Sequence, residues 1–341
     1  MKYLFLLLPY LTCVTCFGKI YLKTTGFKSD TLKQEATIRF EVKNVASEYV
    51  VLYYSFNSII PMNDTLVIKG GVCEKKYHLS KPVYMDVSGR GFYGRIYLAP
   101  SFQSTVIIDG NNRVNRIVSF KSGGDGALAN DYLNEMKTIS TLPRLATIGK
   151  MLTEQQYLEM VERHYSILDS VYITYHNRYD LQANRDVIMQ SFFDTEKMDL
   201  RFRKGGTLLN FMEARRYRGN KAEAFFAQYI QPLNLQKEEI NLLSNASILF
   251  FKSYLPTYFM VRVRESSDST IYQKIGHYAY ILDYVTKNYQ GQKRAYCIAE
   301  NLYFLADQAR SYPAHFPPID SLMKAYDSYL TDEWRELIWK T

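Results

Sequence analysis

The segment Gly89–Met136 reads GRGFYGRIYLAPSFQSTVIIDGNNRVNRIVSFKSGGDGALANDYLNEM, and the pattern of the chain changes within it. Its first part alternates apolar and polar residues between turn residues, which is typical of β-strands. From Asp125 or Gly126 onward, apolar residues recur at intervals of three and four, which is typical of a helix. The segment therefore marks the passage from a β-rich N-terminal part to a helical C-terminal part.

Residues 19 to about 120 are predicted to form seven or eight short strands separated by turn residues. Ala36–Val42 (ATIRFEV) alternates, and Tyr49–Phe56 (YVVLYYSF) is rich in aromatic and β-branched residues. The glycines of Gly89–Gly94 fit the G-x-G-x-x-G pattern of dinucleotide-binding sites. In such a site, a helix must begin at the glycine pattern. Because Arg95–Leu98 continues as a strand, we interpret these glycines as a hairpin turn. The strand spacing predicts an antiparallel β-sandwich or barrel.

The second half of the chain has helical periodicity. Thr153 and Gln156 form a capping box, and the helix that follows carries a stripe of tyrosines on one face. We interpret that stripe as core packing, although it could line a groove for a carbohydrate or a peptide. Further helices are predicted at Arg185–Arg203, Leu208–Arg218, Lys221–Ile230, Lys237–Val263, Ser269–Asn288, Gly291–Arg310 and Pro318–Trp339. The predicted class is α+β, with an N-terminal antiparallel β-sandwich (19–122) followed by an all-α helical domain (126–341).

The N-terminus predicts export. Lys2 precedes the apolar run Tyr3–Leu11, which is shorter than the ~20 residues needed to span a membrane. This pattern is typical of a secretory signal peptide, here residues 1–18. Cys13 and Cys16 leave lipoprotein processing open, although the residues before them are poor lead-ins to a lipidated cysteine. We expect a protein of the periplasm or cell envelope that is attached to the membrane only if it is lipidated.

Charge and motifs exclude several classes of function. The formal net charge is +8, from 42 Lys and Arg against 34 Asp and Glu, which does not indicate a nucleic-acid partner in an exported protein. The basic clusters Arg201–Lys204 and Arg215–Lys221 are therefore expected to be solvated helical faces. No histidine spacing suits a metal, and no serine elbow or P-loop is present. We assign no catalytic, metal-ligating or cofactor-binding residue, predict no cofactor, and leave the binding residues unknown.

The cysteines do not indicate redox chemistry. Cys13 and Cys16 match C-x-x-C but lie in the predicted signal peptide rather than at the start of a helix, where a thiolate would be stabilised. The mature chain would then keep Cys73 and Cys297, which fall in different predicted domains. We expect two buried free thiols.

Three short motifs carry a resemblance to a known family. Tyr97–Pro100 ends a strand, Val118–Phe120 precedes a glycine turn, and Ala127–Leu133 (ALANDYL) opens a helix. This arrangement resembles the N-terminal region of TlpA-like thiol-disulfide oxidoreductases, although Ser101 stands where that family usually has glycine. The resemblance implies a β-sandwich leading into helices, which in the family precedes a thioredoxin domain with a W-C-x-x-C site. No tryptophan here is followed by a cysteine pair, so no redox residue can be assigned.

Three functions are compatible with these features. The leading hypothesis is a non-catalytic binding or accessory module, with a partner protein or an extracellular ligand in the crevice between the sandwich and the helices. The alternative is a truncated or split thiol-disulfide oxidoreductase with a thioredoxin-like partner encoded separately. A glycan-active enzyme is the third, because the separation of paired carboxylates cannot be read from sequence.

Overall fold

The computed structural model describes residues 33–55, 59–139, 142, 152–182, 186–264, 269–311 and 319–340. It confirms the α+β class, with a sandwich of two sheets followed by helices. The predicted signal peptide, including Cys13 and Cys16, lies outside the described residues.

The described ranges contain eight strands: β1 (Gln34–Lys43), β2 (Tyr49–Tyr54), β3 (Met62–Val67), β4 (Val72–Leu79), β5 (Val83–Gly89), β6 (Phe92–Leu98), β7 (Gln103–Val114) and β8 (Ile117–Gly124). They form two four-stranded sheets, in the orders β4-β1-β7-β8 and β3-β2-β5-β6. The expectation of antiparallel pairing holds except for β1 and β7, which are parallel. The parallel pair is possible because the chain between them crosses through the other sheet.

The glycine segment after β5 makes the predicted hairpin turn. Gly89 pairs with Phe92, so Arg90 and Gly91 form a two-residue connection between β5 and β6. Gly91 adopts φ +89°, which a residue with a Cβ adopts only with strain. The interpretation as a turn rather than a nucleotide loop is confirmed.

Ten α-helices lie in the part of the chain that the structure describes. They are α1 (Ala127–Thr138), α2 (Glu154–Asp180), α3 (Val187–Ala214), α4 (Gly219–Phe225), α5 (Asn245–Leu249), α6 (Leu255–Arg264), α7 (Ser269–Asn288), α8 (Gly291–Ser311), α9 (Ile319–Tyr326) and α10 (Asp332–Lys340). Single π-helical turns, Phe226–Ile230 and Phe250–Tyr254, extend α4 and α5, and short 3₁₀ turns lie at Gln231–Leu233, Leu235–Lys237 and Asp327–Tyr329. The predicted capping box of α2 is present, with the Gln156 N–H donating to Thr153 Oγ1 and the Thr153 N–H to Gln156 Oε1.

Four predicted helices are corrected. The predicted helices Arg185–Arg203 and Leu208–Arg218 are one continuous helix, α3, because its two glycines allow close packing rather than a break. A Cβ on Gly205 would lie 2.5 Å from Leu235, and one on Gly206 would lie 2.7 Å from Tyr254.

The other two corrections follow from helix capping. The predicted helix Lys237–Val263 is interrupted by an irregular segment, and α5 starts afresh where the Ser244 side chain accepts the Ser247 N–H. The predicted helix Pro318–Trp339 is two helices in its described part, and Thr331 accepts the Trp334 N–H at the start of α10.

Helix α1 closes one open side of the sandwich, where the edge strands β6 and β8 lie. The Asn130 side chain accepts the Tyr97 N–H at 2.6 Å and donates to the Tyr97 carbonyl at 3.2 Å. Asn134 likewise accepts the Phe120 N–H of β8 at 2.7 Å. Asparagine side chains thus take the place of a neighbouring strand, and Asn130 is the residue of the ALANDYL motif that does so.

The residues that the structure describes form two hydrophobic cores. The sandwich core takes in α1, the end of α2 and the start of α3, where Phe192 and Phe193 are almost fully buried. The second core lies among the helices, with Phe250 and Tyr296 at its centre. Helix α3 contributes to both cores and carries residues from one into the other.

Candidate functional site

A cleft of about 1750 Å³ lies between the outer face of the sheet β3-β2-β5-β6 and the helices. Tyr53, Tyr84 and Arg95 belong to the sheet wall. Ser191 of α3 and the segment 237–245 belong to the helical wall. This is the crevice in which the sequence hypothesis places a ligand.

The sheet wall includes side chains of β5 and β6 that point to the outer face of the sheet. Tyr84 pairs with Tyr97 and Asp86 with Arg95, so all four side chains point away from the sandwich interior. The Arg95 guanidinium carbon lies 4.4 Å from the centre of the Tyr84 ring, and Arg95 Nε lies 3.9 Å from Asp86 Oδ1. The result is an arginine stacked on an aromatic ring in the wall of the cleft.

A network of hydrogen bonds shapes the helical wall. Asn241 accepts the Leu243 N–H at 2.9 Å and donates its side-chain amide to Thr195 of α3 at 3.2 Å. Glu238 pairs with Arg201 at 2.8 Å. Ser244 also donates its hydroxyl to Asp199, so these three contacts tie the irregular segment between the 3₁₀ turn and α5 to α3.

Two buried carboxylates lie behind the cleft, one helical turn apart on α3. Glu196 and Asp199 are 3% and 2% exposed. Glu196 accepts the Tyr84 hydroxyl at 2.8 Å, while Asp199 accepts the Ser244 hydroxyl at 2.6 Å and pairs with Arg203. The pair thus connects the sheet wall, through Tyr84, to the helical wall, through Ser244.

The environment of Glu196 disfavours its charge. Burial, followed by the nearby charge of Asp199, raises the pKa of Glu196 to about 6, although Arg203 and Arg95 oppose the increase. Burial and the Glu196 charge also raise the pKa of the buried Tyr132 hydroxyl. The interior behind the cleft is therefore acidic and poorly solvated.

Sequence reasoning missed this buried cluster. Glu196 and Asp199 have the spacing that puts both on one helix face, and the neighbouring residues Phe192, Leu200 and Phe202 indicate that α3 is buried nearly all round. That combination was the available signal. Arg95 gave no signal, because Glu196, which holds the Tyr84 ring beneath it, lies far along the chain.

The tyrosine stripe of α2 is core rather than groove. Tyr157, Tyr165, Tyr175 and Tyr179 are all buried, and Tyr157 stacks on Phe211 with ring centres 4.1 Å apart. The expectation of core packing is confirmed for these four side chains.

The basic clusters are largely paired within the chain. In the first cluster Arg201 pairs with Glu238, Arg203 with Asp199 and Lys204 with Glu162. In the second, Arg218 lies 3.4 Å from Glu213 and Lys221 lies 3.9 Å from Glu154. The side chains of Arg201, Arg203 and Lys204 keep 38%, 39% and 23% of their surface exposed, so this partly solvated face is also ion-paired within the chain.

Cys73 and Cys297 are free and buried, as expected. Burial raises the pKa of the Cys73 thiol to about 11 and raises that of Cys297 as well. Both thiols therefore remain protonated and weakly nucleophilic at neutral pH.

The described ranges contain neither a cluster of metal ligands nor a membrane-spanning helix. No group of three or more His, Cys, Asp or Glu side chains there is arranged to hold a metal ion. None of the helices in those ranges combines the length and apolar character required to cross a membrane.

Comparison with known proteins adds no assignment: no protein-family model matches the sequence, and no curated protein is significantly similar to it.

Proposed function

We propose that this protein is a non-catalytic binding module of the cell envelope that holds a partner protein or an extracellular ligand in the cleft between sandwich and helices. The cleft itself carries the proposal, because its volume of about 1750 Å³ exceeds that of an ordinary small-molecule pocket. The signal-like N-terminus and the resemblance to the N-terminal region of TlpA-like proteins support the envelope setting.

The walls of the cleft suit binding. Tyr53 is 48% exposed at its rim, and aromatic side chains of this kind give large contact areas with little loss of conformational freedom. Tyr84 is held by its hydrogen bond to Glu196, and Asn241 orders the opposite wall. A preorganised cleft loses less free energy on binding than a flexible one.

The test uses a photo-crosslinking amino acid, p-benzoylphenylalanine, at Tyr53 of the full chain in its own envelope. Tyr49 provides a matched control because it lies on the same face of β2, is 46% exposed and is outside the cleft lining. We expect an adduct of defined mass from position 53 and none from position 49. Equal yields, or no adduct at either position, would contradict the proposal.

Two further outcomes separate the other functions. An adduct identified as a thioredoxin-domain protein would favour the split oxidoreductase. Turnover of a thiol, ester or glycoside substrate by the purified protein would refute a purely binding role. The crosslink and the activity assay therefore address different parts of the proposal.

A further inference from the structure

Most of the hydrogen-bond donors of the Arg95 guanidinium are unused, although Arg95 lies in the wall of the cleft. Its side chain is 26% exposed, and its nearest carboxylate oxygen, on Asp86, lies 3.9 Å away, which is beyond hydrogen-bond distance. Within the part of the chain that the structure describes, its guanidinium donates no hydrogen bond. A guanidinium has five N–H donors, so most of its capacity to bind an anion is unused.

The position of Arg95 is nevertheless well determined. Its guanidinium lies over the Tyr84 ring at 4.4 Å, and the Tyr84 hydroxyl is fixed by the buried Glu196 at 2.8 Å. The charge of Glu196 behind the ring also favours a cation at this place. A fixed, stacked guanidinium facing a cleft is the arrangement that recognises a planar anion through two parallel hydrogen bonds.

We infer that Arg95 is the anchor of the cleft and binds the carboxylate of a ligand whose remaining part is apolar or aromatic. This inference rests on the proposed function and names the ligand chemistry of the same cleft. A carboxylate matches the fork of the guanidinium, and the 72% exposed Asp86 side chain is free to turn into solvent when a ligand arrives.

The surroundings of Arg95 favour a ligand with an apolar body. Ile188, Ile240 and Leu243 line the cleft together with Tyr53, while the charged side chains Lys237 and Glu239 are exposed and of opposite sign. A highly charged ligand such as a polyphosphate would meet the carboxylates of the cleft as well as its cations. A peptide terminus or an acidic side chain beside apolar residues fits both features.

The test is a saturation-transfer NMR titration of the full chain with N-acetylphenylalanine and with N-acetylphenylalaninamide, which lacks the carboxylate. We expect the acid to bind at least tenfold more tightly than the amide. Arg95→Gln should abolish that preference, and Arg95→Lys should keep part of it because the charge remains without the fork. N-acetylaspartyl-phenylalaninamide then shows whether an acidic side chain replaces the terminal carboxylate.

Lys81 provides the matched control, since it is an exposed cation in the lining of the same cleft. Lys81→Gln should change the preference for the acid less than twofold. Equal binding of acid and amide to the wild-type protein, or an unchanged preference in Arg95→Gln, would overturn the inference. If the Tyr53 crosslink persists undiminished in Arg95→Gln, this inference fails while the proposed function stands. Absence of the crosslink from the wild-type protein contradicts the proposed function instead.

Discussion

Replacing Glu196 with glutamine tests the buried acidic cluster directly. Gln keeps a side-chain oxygen that can accept the Tyr84 hydroxyl, which Glu196 accepts at 2.8 Å, but it carries no charge. The variant therefore isolates the free energy of holding a charge at this position. Because Glu196 is 3% exposed, solvent screens that charge little.

The magnitude follows from the pKa of Glu196. The difference between 4.5 for an ordinary glutamate and about 6 in the fold corresponds to about 2 kcal/mol. Below pH 4.5 the carboxyl is neutral in both the folded and the unfolded chain, so it favours neither. Between pH 4.5 and 6 the folded state holds the proton more tightly, so stability falls as the pH rises. Above pH 6 the folded state bears the full cost of the charge.

The assay is urea denaturation of the wild type and of Glu196→Gln at intervals from pH 4.5 to 7.5. We expect the free energy of unfolding of the wild type to fall by about 2 kcal/mol relative to the variant over this range. The exposed Glu159 provides a control, and Glu159→Gln should follow the wild-type curve in parallel. Parallel curves for the wild type and Glu196→Gln would refute the reasoning.

Three further substitutions test the sandwich, each by urea denaturation. Asp64 accepts hydrogen bonds from two tyrosine hydroxyls and pairs with a lysine, so Asp64→Ala should lower the free energy of unfolding by about 3 kcal/mol. Glu74 of β4 is exposed, and Glu74→Ala should lower it by less than about 0.5 kcal/mol. Asn130→Ala leaves a buried N–H and carbonyl of β6 unpaired, so we expect a loss of about 2–3 kcal/mol; a loss below 0.5 would contradict its role at the strand edge. Gly91→Ala should cost about 1–2 kcal/mol because of φ +89°, while Gly123→Ala, with open space at its Cβ and no positive φ, should cost less.

The sequence predicted the elements better than their surroundings. The alternation in Ala36–Val42 and the capping box at Thr153 are local signals, and both correspond to observed elements. The outer face of the sheet is different. Tyr84 and Tyr97 point away from the sandwich interior and are still buried, because α1 and α3 cover them. The pattern of residues within β5 and β6 does not predict that helices will cover these two tyrosines.

The candidate cleft shows the same limit. Its existence followed from a two-part layout, but Arg95 becomes informative only when Tyr84, Glu196 and the segment 237–245 are brought together. The glycines at 205 and 206 misled the helix assignment for a related reason. Glycine allows close packing between helices and also weakens a helix, and the sequence does not distinguish these two roles.

The parallel pairing of β1 with β7 has a consequence for how the chain folds. Thr37 lies opposite Gln103 and Ile38 opposite Lys75, so both neighbours of β1 are distant in sequence. The β5–β6 and β7–β8 hairpins, by contrast, each close over two residues. Loop closure therefore favours early formation of these two hairpins, while the pairing of β1 with β4 and β7 comes later because the partners are far apart in sequence. The hairpin that carries Arg95 would thus form before β1 joins the sheet behind it.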